Sequence, residues 1–227
     1  MGFKLIKNER VMVFNDFLIA SDLHIGYEKK LEESGYNIPN LSKIFVEKFK
    51  ELKSKTGANK LILLGDIKHN VPRIAYEEKY DVPDLFRALS KEFSEIILIK
   101  GNHDGNIERM VHEDNVKILA EYIVDNVGFT HGHRSPSKEL LNCKVIVMGH
   151  VHPTFKFKDS LGVRHNYPCW LYAKLKKTGA FKEAITENLI VVPCFNQFFS
   201  GYEKFMGPLA KNIKIEEIYL LNLTKVK

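Results

Sequence analysis

Five short stretches of this chain carry side chains that can do chemistry: Asp22-Leu23-His24, Gly65-Asp66, Gly101-Asn102-His103-Asp104, Thr130-His131-Gly132-His133 and Gly149-His150-Val151-His152. Each directly follows a run of apolar residues. Imidazole and carboxylate without thiolate suit Mn, Fe, Co, Ni or Zn better than Ca or Mg, and we take Mn2+ as the expected metal. A carboxylate shared by two such ions would hold them about 3.5–4 Å apart, the separation used in two-metal hydrolysis. Two divalent ions, two aspartates and a bridging hydroxide sum to roughly +1, which still attracts a phosphate. Alone, each stretch has an ordinary reading. Asp-x-His is usually a solvated strand end, and Gly-Asn-His-Asp a turn that suits Asn and Asp. Together they point to one site with two divalent ions.

The apolar runs must be the elements that position these groups. Phe17–Ala20, Lys60–Leu64, Ile96–Lys100, Val127–Thr130, Val145–Met148 and Leu189–Val192 read as strands buried on both faces, because they are Ile, Leu and Val without alternation. Residues i and i+2 of a strand share a face. Asp22 and His24 can therefore reach one ion while Leu23 points into packing, and His150 and His152 have the same relation around Val151. Gly65, Gly101 and Gly149 precede ligands where the backbone must turn beside a crowded site. Leu41–Thr56 has a helix-period apolar stripe with Asn40 before it and Gly57 after it. Pro83–Phe93 reads as a second helix opened by its proline. Strand–helix–strand alternation predicts an α/β fold with helices covering the sheets. Beyond His152, Phe155–Lys158 and Val163–Tyr167 flank a turn-like Asp-Ser-Leu-Gly and predict a hairpin. The segment Phe155–Lys177 interleaves aromatics, Trp170 included, with Lys and Arg. Such a segment can track and stack nucleic acid, but the alternation equally fits a strand with its rings in the core and its lysines in water, the reading preferred here.

The whole chain sets bounds. Its 227 residues, 44% hydrophobic and 27% charged, suit one globular domain spanning 1–227. The longest apolar runs are too short to span a bilayer, and the first residues lack the pattern of a secretion signal. Three cysteines without CxxC spacing fit neither a disulfide framework nor a thiolate site. A cytoplasmic protein is expected. The net charge of +6 suits an anionic partner.

The series Asp22-x-His24, Gly65-Asp66, Gly101-Asn102-His103-Asp104, His131 and Gly149-His150-x-His152 resembles the calcineurin-like metallophosphoesterase superfamily, in the family's order. The resemblance implies a β-sandwich of two mixed sheets flanked by helices, in four layers. It implies a first ion held by Asp22, His24, Asp66 and His152. A second would be held by Asp66, Asn102, His131 and His150, with Asp66 as the bridge. His103 would be the catalytic histidine that is not a ligand, its ring oriented by Asp104. A narrower set is similar to the metallophosphoesterases associated with DNA ligases and helicases. It comprises His24-Ile25-Gly26-Tyr27-Glu28, Gly35, Pro39, Gly65-Asp66-Ile67-Lys68-His69, His150-x-His152-Pro153, Val192-Pro193-Cys194-Phe195-Asn196 and Gly201.

His69 and His133 lie next to ligands and either line the substrate pocket, support a ligand or are ordinary loop histidines; Asn196 joins them as a substrate or supporting residue. His112 and His165 read as structural. The expected reaction is phosphodiester hydrolysis by attack of a metal-bridging hydroxide, with DNA, RNA or a cyclic nucleotide as substrate. A homodimer would supply a nucleic-acid groove that this chain alone is too small to shape. A small-molecule phosphomonoesterase on the same site is the alternative. A non-catalytic scaffold is the third reading, opposed by the complete ligand set.

Overall fold

The computed structural model describes residues 2–199 and 206–227; Gly201 lies outside the described residues. Its strands are β1 (Phe3–Leu5), β2 (Met12–Phe14), β3 (Phe17–Ala20), β4 (Lys60–Leu63), β5 (Glu95–Ile99), β6 (Val116–Leu119), β7 (Glu121–Val124), β8 (Val127–Thr130), β9 (Val145–Met148), β10 (Thr154–Lys158), β11 (Arg164–Leu175), β12 (Asn188–Val191) and β13 (Ile213–Leu220). One sheet runs β1-β2-β3-β4-β5-β6, the other β10-β11-β12-β9-β8-β7, with β13 beside β11. Both are mixed. Parallel β3, β4, β5 and β6 form the centre of the first, and parallel β8, β9 and β12 that of the second. Register brings the strand ends level. Ala20 pairs with Leu63 and Leu63 with Leu98; Thr130 pairs with Met148 and Met148 with Val191.

The lack of alternation in these strands has its cause in the packing. Ile19, Ile62 and Ile97 join Phe129, Val147 and Trp170 between the two sheets. Their neighbours Leu18, Leu61 and Leu98 face the other way, onto Phe45, Phe49, Leu85 and Phe86 of the helices α2 (Leu41–Thr56) and α3 (Glu78–Glu92). A third cluster covers the outer face of the second sheet. There the expected helical layer is thin: α4 (Lys138–Leu141) and α5 (Pro208–Lys211) have one turn each, and loop residues such as Phe181 and Ala184 complete the cover. A further short helix, α1 (Tyr27–Glu33), follows the first ligand stretch.

The second helix starts before its proline. Glu78, fully buried, fixes the extra turn: its carboxylate accepts hydrogen bonds from the amides of His69, Asn70 and Ala75 and from the Asn70 side chain. The helix α2 matches its expectation, with the Asn40 side chain accepting from Lys43 N and Gly57 at φ 76. The hairpin forms as β10 and β11. Trp170 is fully buried, as the strand reading requires, but Phe157 and Tyr167 are 41% and 42% exposed, so the rings are not all in the core. The cysteines are buried and unpaired. Among the described residues no helix is long and apolar enough to cross a membrane.

Candidate metal centre

The five strand ends meet where the two sheets face each other. Ligand stretches follow β3, β4 and β5 of the first sheet and β8 and β9 of the second. Three groups of donor atoms converge there: Asp22, His24 and His152; Asp66, His131 and His150; and a third without a carboxylate, His24, His69 and His103.

Backbone strain places several of these side chains. Asp22 (φ 60), His24 (φ 48), Asp66 (φ 52), His150 (φ 68) and His152 (φ 47) are all left-handed, at roughly 1–2 kcal/mol each for a residue with a Cβ. Strand alternation is therefore not what turns Asp22 and His24 to one side, nor His150 and His152; paired left-handed residues beyond the strand ends do it. Leu23 and Val151 do point into packing, as expected. The strained backbone is held by Asp22 N donating to Gly65 O (3.0 Å) and His24 N to Asp66 O (2.9 Å). Asn196 is fully buried, and its Nδ2 donates to Leu23 O at 2.9 Å and so braces the same turn. Gly65 has φ +84, whereas Gly101 and Gly149 need room rather than a turn. A Cβ on Gly101 would lie 2.1 Å from Asp66 Oδ1, and one on Gly149 1.8 Å from Ser21 Oγ.

The donor chemistry calls for cations. His131 Nδ1 donates to Leu64 O at 2.6 Å, which leaves Nε2 as the lone-pair atom of the neutral ring. That Nε2 faces Asp66 Oδ2 at 3.3 Å, Asn102 Oδ1 at 3.2 Å and His150 Nδ1 at 3.1 Å. Electron-rich atoms converge, and a proton or a metal ion resolves their repulsion. Burial opposes a charged His131, but Asp66 and Asp22 outweigh it and push the imidazole up to about 9. On the other side, His152 Nε2 lies 3.0 Å from Asp22 Oδ1. His24 is buried with neither ring nitrogen hydrogen-bonded, an arrangement that costs about 1–3 kcal/mol unless a ligand satisfies it. Burial holds His24 down to about 3 and His150 to about 4, so both rings are neutral donors at pH 7. Burial would raise Asp22 and Asp66, yet the surrounding histidines hold both carboxylates well below the usual range. A divalent ion fits each of the two groups that contain a carboxylate.

His103 stands beside the two carboxylate-bearing groups, its Nε2 3.9 Å from Asp66 Oδ2 and its amide donating to Asp66 Oδ1 at 2.9 Å. The expectation that Asp104 orients its ring is corrected. The Asp104 carboxylate bonds backbone amides, with Oδ1 accepting from Ile67 N (2.8 Å) and Oδ2 from Gly101 N (2.8 Å). It ties two ligand loops together, and burial with the nearby Asp66 raises it to about 6. The ring of His103 is set instead by its Nδ1, which donates to the main-chain carbonyl of His69 at 2.5 Å.

His69 and His133 flank the centre on opposite sides. The His69 ring lies 5.5 Å from that of His24, and the His133 ring 5.2 Å from that of His131. Burial holds each down to about 4. Three contributors escape a reading of the sequence. Ser21 donates to Asp22 Oδ2 at 2.5 Å, Glu78 anchors the loop bearing His69, and Phe199 stacks on His24 at 4.2 Å. Ser21 had a signal, standing next to a ligand. Phe199 had none, since it comes from the far end of the sequence.

Comparison with known proteins agrees with this geometry. Residues 16–181 match the model of the calcineurin-like phosphoesterases. Phosphodiesterase YfcE of Escherichia coli K12 is 29% identical over 112 residues, 47% of this chain and 61% of YfcE, so the match spans less than two thirds of that relative. The crystal structure of the nuclease MPE of Pseudomonas putida shares the fold at a TM-score of 0.63 and 20% identity, covering 97% of this chain and 98% of that one. With the family model spanning most of the chain, from β3 to beyond β11, this protein belongs to the calcineurin-like phosphoesterases.

Proposed function

We propose that the chain hydrolyses phosphodiesters at a two-metal centre. The observation that carries this reading is the pair of donor groups around Asp66, flanked by His103. Asp22, His24 and His152 would hold one ion and Asn102, His131 and His150 the other, with Asp66 bridging. When bound, the ions supply a water of lowered pKa as nucleophile and bind the non-bridging phosphate oxygens. His103 acts on the far side of the reaction. Its Nδ1 proton is committed to the His69 carbonyl, so Nε2 is the atom that gives a proton to the departing ester oxygen as the P–O bond breaks. Nε2 is then reprotonated from solvent, which balances the proton released when the attacking water ionises. His69 and His133 line the two ends of the centre and offer neutral imidazoles to substrate.

The net positive charge and the basic β10–β11 hairpin favour a diester of nucleic acid over a small monoester. The motif series shared with metallophosphoesterases associated with DNA ligases and helicases supports the same choice. Three buried free thiols support a cytoplasmic setting. The test is metal-free protein reconstituted with Mn2+, assayed on bis(p-nitrophenyl) phosphate and p-nitrophenyl phosphate. Diester cleavage should be the faster, and His103→Ala should keep both ions while lowering turnover about 10²–10⁴-fold. Faster monoester cleavage would move the assignment to a small-molecule phosphatase. Two bound ions with neither activity would favour the scaffold.

A further inference from the structure

The β10–β11 hairpin projects from its sheet. Residues 164–168 of β11 pair only with β10; pairing with β13 begins at Cys169 and with β12 at Leu171. An isolated two-stranded ribbon is marginally stable in water, so its surface composition carries information. On one face Phe157 stacks on His165 at 4.9 Å and on Tyr167 at 5.7 Å, with ring planes within 19° of parallel. Phe157 and Tyr167 nevertheless remain 41% and 42% exposed. On the other face Lys158 stands directly opposite Arg164. Like charges opposed across strands destabilise a sheet. Among the described residues no carboxylate lies within ion-pairing distance of either, whereas Lys48, Lys50, Lys60 and Lys117 all pair with glutamates. The hairpin's own Asp159 is occupied: it accepts from the amides of Leu161 and Val163 and pairs with His165. The ribbon is rooted at Pro153, next to His152, so Phe157 lies at most about 18 Å along the chain from that candidate ligand.

We propose that this ribbon grips a polynucleotide running to the metal centre, with Lys158 and Arg164 holding backbone phosphates and the exposed rings of Phe157 and Tyr167 stacking on bases. The inference rests on the phosphodiesterase reading and names the substrate class. The strand β10 is a sheet edge with cations on one side and rings on the other. A nucleic-acid strand has the matching polarity, with phosphates along one side and bases along the other. A second copy of this chain fits less well, since antiparallel twofold pairing along β10 would lay the two cationic faces side by side.

The experiment uses the Mn2+-loaded full chain, a fluorescently labelled single-stranded DNA oligonucleotide and bis(p-nitrophenyl) phosphate. In Phe157→Ala/Tyr167→Ala the ratio of oligonucleotide to small-diester kcat/KM should fall about tenfold or more. In Lys158→Gln/Arg164→Gln the oligonucleotide KM should rise, and its dependence on log salt should flatten by about 1.4 for two lost phosphate contacts. Unchanged ratios and salt slopes would overturn the proposal. Wild-type protein that cleaves the small diester but no oligonucleotide would overturn it too, leaving the phosphodiesterase reading intact; cleavage of neither would fail that reading itself. A ring variant that turns a dimer into a monomer, with oligonucleotide cleavage unaltered, would assign the face to a second copy and overturn the proposal.

Discussion

His103 points as it does because of a carbonyl, and that carbonyl is held by a carboxylate. Its Nδ1 donates to His69 O; the amides of His69 and Asn70 donate to Glu78 Oε1 at 2.9 and 2.8 Å, and Ala75 N to Oε2 at 2.8 Å. Glu78 is fully buried and bonds the backbone and the Asn70 side chain of this loop rather than a candidate donor atom, so it is a positioning residue. Glu78→Ala should lower kcat about 10- to 100-fold with KM and metal content near wild type, because a reacting group moved by about 1 Å loses that much. Glu78→Gln keeps an acceptor oxygen and should recover most of the loss. A lower melting temperature with unaltered kcat would reduce Glu78 to a structural role. The sequence marks His103 as the non-ligand histidine through the family pattern. It cannot mark its partner, because every residue carries a backbone carbonyl and only folding selects one. Side-chain types alone direct attention to Asp104, which in fact staples two loops.

At the scale of elements, two glycines test what the strand ends require. Gly101 closes β5, and a methyl there would meet Asp66 Oδ1 at 2.1 Å and Asp66 N at 2.4 Å. Gly57 ends α2 at φ 76 with nothing within 4 Å of a Cβ. Gly101→Ala should therefore displace the Asp66 carboxylate and lower metal content measured by elemental analysis. Gly57→Ala should cost about 1–2 kcal/mol of stability through backbone strain alone and leave metal content unaltered. Equal metal content in the two variants would contradict the crowding assigned to Gly101. The central strands and α2 are legible because burial on both faces, or on one stripe, leaves unbroken or helix-period apolar runs. The strands β1, β2, β6, β7 and β13 leave weaker traces. They are short or alternate between half-buried and exposed positions, so their pairing is set by neighbours far away in sequence. The early start of α3 is hidden for the same reason, since Glu78 reads as one more surface acid until its loop closes over it.

For the molecule as a whole, the metal centre is also a stability device. It sits between two sheets and collects buried carboxylates and imidazoles that the fold must otherwise shelter alone. Each ion at about 100 times its dissociation constant would add about 2.7 kcal/mol, so chelation of two should lower Tm by about 10–20 °C for a chain of this size. An unchanged Tm would mean that the ions are bound weakly or not at all. The chelated protein should also lose stability in mild acid. Burial holds His24 to about 3 and His69, His133 and His150 to about 4, whereas an unfolded histidine titrates near 6.5. As pH falls from about 6.5 to 4 the unfolded chain takes up protons that the folded chain refuses, and stability falls. His131 acts in the opposite sense: raised to about 9, it contributes fully below 6.5 and loses that contribution as pH rises towards 9. The urea midpoint of chelated protein should therefore be highest near pH 6.5, and a flat profile between 5 and 7 would contradict the neutral buried rings.

The sequence by itself determined which residues are candidate donors, the buried strands that carry them and the α/β class. Ligand chemistry and burial on both faces are written in residue types and short-range periodicity. Only the tertiary structure decided that three strand ends of one sheet and two of the other meet, because stacking two sheets leaves no local pattern. The same holds for the left-handed backbone at five candidate ligands, the carbonyl that orients His103 and the rings left uncovered on the ribbon. Each depends on atoms brought together from distant parts of the chain.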